Sequence, residues 1–178
     1  MVDLCFRNAK ILTETGFIHG GLTITDGVIT SLGPDVGQVS AEETMDLGGR
    51  ILAPGLVDLH VHFREPGFTQ KEDFASGTAA ALAGGVTTVV DEPNNDPVTN
   101  SVETLRSKRR LVGGKAYTNY ALQMAVYGDK LGEVREAGEI GVKLFAFFDE
   151  LFDIGAPCAR RNIPVDRPDI VAILIFTN

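Results

Sequence analysis

The feature that most limits the fold of this chain is an order that repeats between residues 51 and 148: an apolar strand, a helix cap, a helix and a glycine. Strands are predicted at residues 51–63, 86–90, 116–126 and 142–148. The first helix is predicted to begin at Thr69, with Glu72 completing a capping box, and the second at Asn100. Gly84-Gly85 and Gly113-Gly114 are predicted to end them. This order is typical of parallel α/β structure, and periodicity alone leaves both an open sheet and a barrel open.

Residues 1–50 follow a different pattern, in which short strands alternate with turns. A loosely alternating strand is predicted at residues 3–11, and Gly20-Gly21 is interpreted as a break between strands. Asp26-Gly27 separates two short apolar runs and predicts a hairpin, because both residues accept the positive φ of a type I′ turn. His19 is interpreted as a surface loop residue and not a ligand. These residues therefore predict a small β-unit.

Composition excludes several classes of function. The chain has 178 residues, of which 44% are hydrophobic and 22% charged, a profile typical of a globular protein. The formal net charge of -8 and the absence of a basic stripe argue against partners such as nucleic acid or anionic membranes. No signal peptide or membrane-spanning run is recognised, and Cys5 and Cys158 form no disulfide framework. We therefore expect a cytoplasmic protein with reduced thiols.

The strongest candidate site is the segment His60-Val61-His62-Phe63-Arg64, at the end of the apolar run 51–63. In a continuous strand, residues i, i+2 and i+4 point the same way, so two imidazoles and a guanidinium are expected to share one face. A His-x-His pair alone is more often a chance pair on an exposed strand. Here the pair ends an apolar run, where unpartnered polar groups are unfavourable, and this indicates a Zn²⁺ site. Asp58 shares that face and is predicted to orient a ligand histidine.

Two longer segments carry a resemblance to a known family. PGLVDLHVHFREPG (54–67) resembles the opening signature of dihydroorotases in the amidohydrolase superfamily, and residues 68–97 resemble the family's next βα unit with its Pro-Asn motif. The resemblance covers roughly residues 1–148. Arg64 followed by Glu-Pro-Gly is similar to dihydroorotases, whereas allantoinases and hydantoinases usually lack that arginine. The resemblance implies a partial (β/α)8 TIM barrel of about four βα units, preceded by part of a small β-sandwich.

The same resemblance implies roles for individual residues. His60 and His62 are similar to ligands of the more buried zinc, and Arg64 to the residue that binds the substrate carboxylate in two parallel hydrogen bonds. Asn94 is similar to an asparagine that hydrogen-bonds the substrate, although Pro-Asn-Asn-Asp-Pro is also ordinary turn chemistry. Lys143 is similar to a lysine that becomes carboxylated and bridges two zinc ions; a lysine reaching to solvent from a strand end is the alternative.

This chain also departs from the family pattern. Methionine is usual in the family at the position of Glu92. The resemblance implies two Zn²⁺ ions and reversible hydrolysis of dihydroorotate to N-carbamoyl-L-aspartate, with the metals activating water. It also implies two further histidines and a proton-carrying aspartate from later strands. Only three histidines are present, and none follows His62.

The expected domains are residues 1–50, residues 51–148 as the first half of a barrel, and an atypical tail at 149–178. Because a full barrel takes about 250 residues, we expect a truncated or frameshifted product that is inactive as it stands. A small-molecule substrate is the expected partner, and a homo-oligomer remains open. Two alternatives stay open as well. One is an allantoinase or a dihydropyrimidinase (hydantoinase) type of amidohydrolase, and the other is a non-catalytic remnant.

Overall fold

The computed structural model describes residues 1–126, 133, 135–137, 145–147 and 173–176. In chain order the strands are β1 (Val2–Thr13), β2 (Gly16–Thr25), β3 (Val28–Gly33), β4 (Ala41–Asp46), β5 (Ile51–Pro54), β6 (Leu56–Val61), β7 (Val86–Asp91), β8 (Asn119–Leu122), β9 (Met124–Val126), β10 (Phe145–Phe147) and β11 (Ile173–Phe176). The α-helices are α1 (Phe74–Ala83) and α2 (Val102–Val112), and a short 3₁₀ helix spans Val36–Gln38. The fold is mixed α/β and divides into two compact units, one of Met1–Leu56 with β11 and a second that starts at Val57.

The first unit is a six-stranded sheet with the order β11-β5-β1-β2-β3, in which β4 also pairs with β1. The pairs β1-β2, β2-β3 and β11-β5 are antiparallel, while β4 and β5 each run parallel to β1. The register of β1 shifts between Phe6 and Ala9, where Asn8 has a φ of 51°. The core of this unit consists of Phe6, Ala9, Ile11, Leu22, Leu47 and Leu52.

The hairpin predicted at Asp26-Gly27 is confirmed. Asp26 has a φ of 51° and Gly27 a φ of 74°, and Thr25 pairs directly with Val28. Both central residues therefore have the positive φ that a type I′ turn requires.

The interpretation of Gly20-Gly21 as a break between strands is wrong, because β2 runs through both residues. A Cβ at Gly20 would lie 2.1 Å from the carbonyl oxygen of Gly33, and one at Gly21 would lie 2.6 Å from the amide nitrogen of Gly37. The two glycines are thus explained by close backbone approach. His19 is exposed as expected, but it lies within β2 opposite Lys10 and not in a loop.

The second unit contains a three-stranded sheet with the order β6-β7-β8, and β9 pairs in parallel with β10. β7 and β8 are parallel, and Val89 is opposite Tyr120. The predicted strand at 51–63 divides into β5 and β6 at Gly55 and ends at Val61. The buried apolar core is formed by Phe63, Phe74, Val89, Val102, Leu105, Val112, Leu122, Met124 and Ala137.

Both predicted helix starts are wrong, while the predicted ends at Gly84 and Gly113 are confirmed. Helix α1 begins after Asp73, whose carboxylate accepts the N–H of Ser76 in a capping box. Thr69 and Asp73 are both suitable N-cap residues, and Asp73 is the one that caps α1. With the helix starting at Phe74, the ring of that residue is completely buried. Helix α2 is capped by Ser101, one residue after the predicted Asn100. Of the helices that the structure describes, none could cross a membrane.

Gly77 lies where α1 packs against Phe63, the residue after the His-x-His pair. A Cβ at Gly77 would lie 2.3 Å and 2.4 Å from the Cδ1 and Cε1 atoms of the Phe63 ring. Alanine usually favours a helix over glycine by up to about 1 kcal/mol, but overpacking costs about 1–3 kcal/mol. Gly77→Ala should therefore lower the free energy of unfolding by about 1–2 kcal/mol, measured by urea denaturation.

Gly84→Ala is the matched control for this prediction. The nearest atom to a Cβ at Gly84 is the carbonyl oxygen of Ala81 at 3.5 Å, an ordinary contact. We expect that variant to retain the stability of the parent chain. A Gly77→Ala chain that is as stable as the Gly84→Ala chain would contradict the packing described for α1.

Candidate active site

Two imidazoles meet at the end of β6. His60 lies in β6, and His62 is the first residue after the strand. The Nε2 atoms of the two rings are 3.1 Å apart, and the ring centroids are separated by 4.9 Å in an edge-to-face arrangement. The side chain of His60 is 69% exposed, whereas His62 is half-buried. The pair therefore presents two ring nitrogens to one accessible point.

The other nitrogen of each ring contacts the segment that follows β7. Nδ1 of His60 lies 3.1 Å from Oε1 of Glu92, and Nδ1 of His62 lies 2.9 Å from Oδ1 of Asn94. The N–H of Glu92 donates to the carbonyl oxygen of Val61 at 2.9 Å, which fixes the two segments side by side. Each histidine thus has one oxygen partner, and the partners are spaced two residues apart as the histidines are.

These contacts determine what the two Nε2 atoms can do. A carboxylate oxygen and an amide oxygen are both acceptors, so each Nδ1 carries the hydrogen. With the hydrogen on Nδ1 of both rings, the two Nε2 lone pairs face each other across 3.1 Å, an arrangement that a shared cation would satisfy. Two imidazoles bound to one tetrahedral Zn²⁺ at about 2.0–2.1 Å have nitrogens roughly 3.3 Å apart. His60 and His62 therefore fit two ligand positions of zinc.

The remaining predicted ligand is Lys143, which lies outside the described residues. Within the described ranges, no group of three or more His, Cys, Asp or Glu side chains is arranged to hold a metal ion. The geometry thus supports two neighbouring ligand positions and leaves the role of Lys143 as a prediction.

Arg64 does not share a strand face with the histidines in the way that the spacing suggested. β6 ends at Val61, and Arg64 has a left-handed φ of 56°. Its carbonyl oxygen accepts the N–H of Phe68 at 2.9 Å, which closes a turn after the strand. Its side chain is half-buried. The alternation argument is therefore wrong for this residue, and its role in carboxylate binding stays a prediction.

Asp58 contacts the main chain of His60. Its Oδ1 accepts the backbone N–H of His60 at 3.0 Å, and the residue is exposed. The carboxylate in contact with the His60 ring belongs to Glu92, which sequence reasoning noted only as a departure from the family pattern. A histidine partner from the neighbouring strand end requires tertiary structure to recognise. The proposed orienting role of Asp58 remains a prediction.

Sequence reasoning also missed a buried ion pair between Asp91, the last residue of β7, and Lys108 in α2. Asp91 is completely buried; its Oδ1 accepts the N–H of Phe63 at 2.8 Å, and its Oδ2 lies 2.5 Å from Nζ of Lys108. The Lys108 ammonium also donates to the carbonyl oxygen of Glu92 at 3.1 Å and to Oδ1 of Asn95 at 2.5 Å. The Asp91–Lys108 pair thus connects α2 with Phe63, which follows His62, and with the segment 91–95, which contacts both imidazoles.

Burial acts on both members of this pair. It raises the pKa of the Asp91 carboxyl, an effect that the nearby Lys108 opposes. It lowers the pKa of the Lys108 ammonium, an effect that Asp91 and Glu92 oppose.

The sequence did contain an indication that Lys108 is buried. Lys108 is three residues after Leu105 and four before Val112, and so it lies on the apolar stripe of α2.

The loop between β6 and α1 is anchored by a second buried carboxylate. Glu65 accepts the N–H of Phe74 at 3.0 Å and contacts Nζ of Lys115 at 2.5 Å. Its carbonyl oxygen accepts a hydrogen bond from Nδ2 of Asn95 at 3.1 Å. The segment that carries Arg64 is therefore fixed from the side of α1 and from the segment after β7.

The amino-acid sequence is similar to a known family and to proteins of known activity. The Dihydro-orotase-like family profile matches residues 49–156. The chain is 34% identical to a dihydroorotase of Methanosarcina acetivorans over 145 residues, which is 82% of this chain and 31% of that protein. It is 38% identical to an allantoinase of Streptomyces avermitilis over 149 residues, which is 81% of this chain and 34% of that protein.

The fold is similar to that of a solved structure. The L-hydantoinase (dihydropyrimidinase) of Arthrobacter aurescens superimposes with a TM-score of 0.77 at 26% identity, over 82% of this chain and 32% of that one. The chain thus spans about a third of the length of the relatives that it matches. The match to the family profile covers more than half of the chain, and it includes both histidines and the Pro-Asn segment that contacts them. This chain belongs to the dihydro-orotase-like family of cyclic amidohydrolases.

Proposed function

We propose that this chain carries the His-x-His part of the metal centre of a zinc-dependent cyclic amidohydrolase of the dihydroorotase type. The observation that carries the proposal is the 3.1 Å separation of the His60 and His62 Nε2 atoms, with both Nδ1 atoms held by acceptors. That arrangement directs two lone pairs at one point, as a zinc ligand pair requires. The dihydroorotase and allantoinase relatives support the same reaction class.

We further propose that the second unit is the first part of a (β/α)8 barrel of about four βα units. The similarity to the Arthrobacter hydantoinase supports this, as does the parallel pairing of β7 with β8. Among the strands that the structure describes, β6 lies at an edge of its sheet, and its Val57 and Leu59 are more than half exposed. An apolar edge of this kind is paired in a closed barrel. The division at residues 50 and 148 belongs to the same proposal.

The residues have separate tasks in the proposed reaction. When bound, zinc would supply an activated water and would polarise the ring carbonyl of the substrate, dihydroorotate. His60 and His62 hold the metal, and Arg64 binds the substrate carboxylate through its planar pair of N–H groups. Asn94 uses its Oδ1 on His62, which leaves its amide N–H groups for the substrate. Lys143 completes the metal site as a carboxylated lysine, and the expected zinc content of a complete site is two.

Zinc binding by the purified 178-residue chain tests this proposal. In competition with a chelator, His60→Ala and His62→Ala should each weaken zinc binding by at least about 100-fold, because the loss of a direct ligand exceeds the 10–100-fold effect of an outer partner. His19→Ala is the matched control, since His19 is exposed in β2. Equal zinc affinity in the parent chain and the His62→Ala chain would overturn the metal assignment.

The same zinc-loaded chain discriminates between substrates. Dihydroorotate carries a carboxylate that suits Arg64, whereas allantoin does not. Ligand-observed NMR should therefore detect binding of dihydroorotate that Arg64→Met removes. Binding of allantoin alone would favour the allantoinase function, which the Streptomyces relative also supports. Binding of neither zinc nor a ligand would favour a non-catalytic remnant.

A further inference from the structure

We propose that Glu92 is a positioning residue for His60: its carboxylate accepts the Nδ1–H of the ring, sets the tautomer and directs Nε2 toward the cation that His62 shares. The inference rests on the proposed zinc site. It assigns a task to a residue at which this chain departs from the family pattern.

The contrast in exposure between the two side chains shows how the contact works. The side chain of Glu92 is 5% exposed and that of His60 is 69% exposed, and the two meet at 3.1 Å. A buried carboxylate is strongly unfavourable without a partner, so its contact with the ring is also one that Glu92 needs. The ring is thus held from its buried side, and its opposite edge remains accessible.

The main chain of Glu92 is fixed independently of this contact. Its N–H donates to the carbonyl oxygen of Val61 at 2.9 Å, and its carbonyl oxygen accepts from Nζ of Lys108 at 3.1 Å. Lys108 is itself completely buried and held by Asp91. Glu92 therefore extends from a rigid base, which is what a residue that sets the orientation of another side chain requires.

Glu92 is on the wrong side of the ring to be a ligand of the same cation. Its Oε1 contacts Nδ1 of His60, while Nε2 of the same ring faces His62 at 3.1 Å. An anion at Nδ1–H makes the opposite nitrogen a better donor to a metal. His62 receives the same kind of contact from the amide of Asn94, so the direct partner of Nδ1 is a charged group for His60 and a neutral group for His62.

The tautomer of His60 provides a test that needs no metal. Long-range ¹H–¹⁵N spectra of the metal-free chain, assigned through His19→Gln and His62→Gln variants, should show His60 with its hydrogen on Nδ1. Glu92→Met should remove that preference, and Glu92→Gln should retain part of it because its amide oxygen can still accept. The exposed Glu103→Gln is the matched control for loss of one negative charge.

Zinc affinity is measured on the same variants by chelator competition. Glu92→Met should bind zinc about 10–100-fold more weakly than the parent chain, with Glu92→Gln between them and Glu103→Gln unchanged. Far-UV circular dichroism verifies that each variant is folded, and Glu92→Gln keeps the test decisive if the Met variant does not fold.

The outcomes separate this inference from the proposed function. If the parent chain does not bind zinc, the proposed function fails, whatever the tautomer spectra show. If the parent chain binds zinc and the Glu92 variants keep both its affinity and the His60 tautomer, only the role of Glu92 is overturned. A loss of stability with unchanged affinity and tautomer would also overturn it, because it would leave Glu92 a purely structural residue.

Discussion

Replacing Lys108 by methionine should lower the free energy of unfolding of the second unit by about 3–5 kcal/mol, because it leaves the buried Asp91 carboxylate without its cation. Asp91 is completely buried, and Lys108 is 2% exposed. Methionine fills a similar volume, so the expected loss comes from the uncompensated charge. It also removes the hydrogen bonds from Nζ to Glu92 and Asn95.

Tyrosine fluorescence during urea denaturation measures this change in the relevant unit. All three tyrosines fall between residues 117 and 127, and the chain has no tryptophan, so the signal comes from the second unit alone. Lys71→Met is the control, because Lys71 is exposed and a surface substitution changes stability by at most about 0.5 kcal/mol. A Lys108→Met chain as stable as this control would contradict the buried ion pair.

The destabilisation should also depend on pH with a definite sign. Burial already raises the pKa of Asp91, and loss of Lys108 removes the opposing cation, so the folded-state pKa of Asp91 rises further. A carboxyl with a raised folded-state pKa contributes stability below its unfolded pKa and loses it as pH rises through the folded value. The stability difference between Lys108→Met and the parent chain should therefore be largest near neutral pH. It should shrink as the pH falls toward the ordinary Asp value of 3.8.

A second substitution separates charge from packing. In the Asp91→Asn/Lys108→Met double variant no charge remains at the pair, and the amide oxygen can still accept the N–H of Phe63. We expect the double variant to be more stable than the sum of the single effects by about 1–3 kcal/mol. Simple additivity would indicate that the two side chains act independently.

The parts of the fold that the sequence predicted correctly are those with strong local chemistry. The turn at Asp26-Gly27 needs positive φ at both residues, and the glycines at 84 and 113 end helices wherever those helices begin. The helix starts were missed because several capping residues compete within a few positions. Thr69 and Asp73 are both suitable caps, and the burial of Phe74 against residues distant in sequence decides between them.

In the candidate site, too, the sequence predicted the local part correctly. His60 and His62 are two positions apart in the chain, so their spacing was informative even though the strand ends at Val61. The contacts of these rings with Glu92 and Asn94 join two strand ends 32 residues apart, and no local pattern predicts which oxygen meets which nitrogen. The burial of Lys108 was missed because lysine is usually exposed, although its position on the apolar stripe of α2 indicated burial.

Phe74→Ala should lower the free energy of unfolding of the second unit by about 3–5 kcal/mol, the usual loss for a large core aromatic. The ring of Phe74 is completely buried and packs edge-on against Phe63, with centroids 5.1 Å apart, and against Tyr120 at 6.1 Å. Its backbone N–H donates to Glu65. Leu82→Ala is the control on the same helix, because Leu82 is 44% exposed and should change stability little.

Zinc provides a second measurement on the Phe74→Ala chain, because Phe63 directly follows His62 and links the core to the proposed site. A ligand that binds only the folded state adds about 2.7 kcal/mol of stability at a concentration of 100 times its Kd. Zinc at that excess should therefore stabilise the parent chain and Phe74→Ala by similar amounts. It should stabilise His62→Ala by at most about 0.4 kcal/mol, because that chain is expected to bind zinc at least 100-fold more weakly. If zinc fails to stabilise Phe74→Ala while it stabilises the parent chain, the positions of the two imidazoles depend on the core contact between Phe63 and Phe74. If it stabilises His62→Ala equally, the cation binds elsewhere.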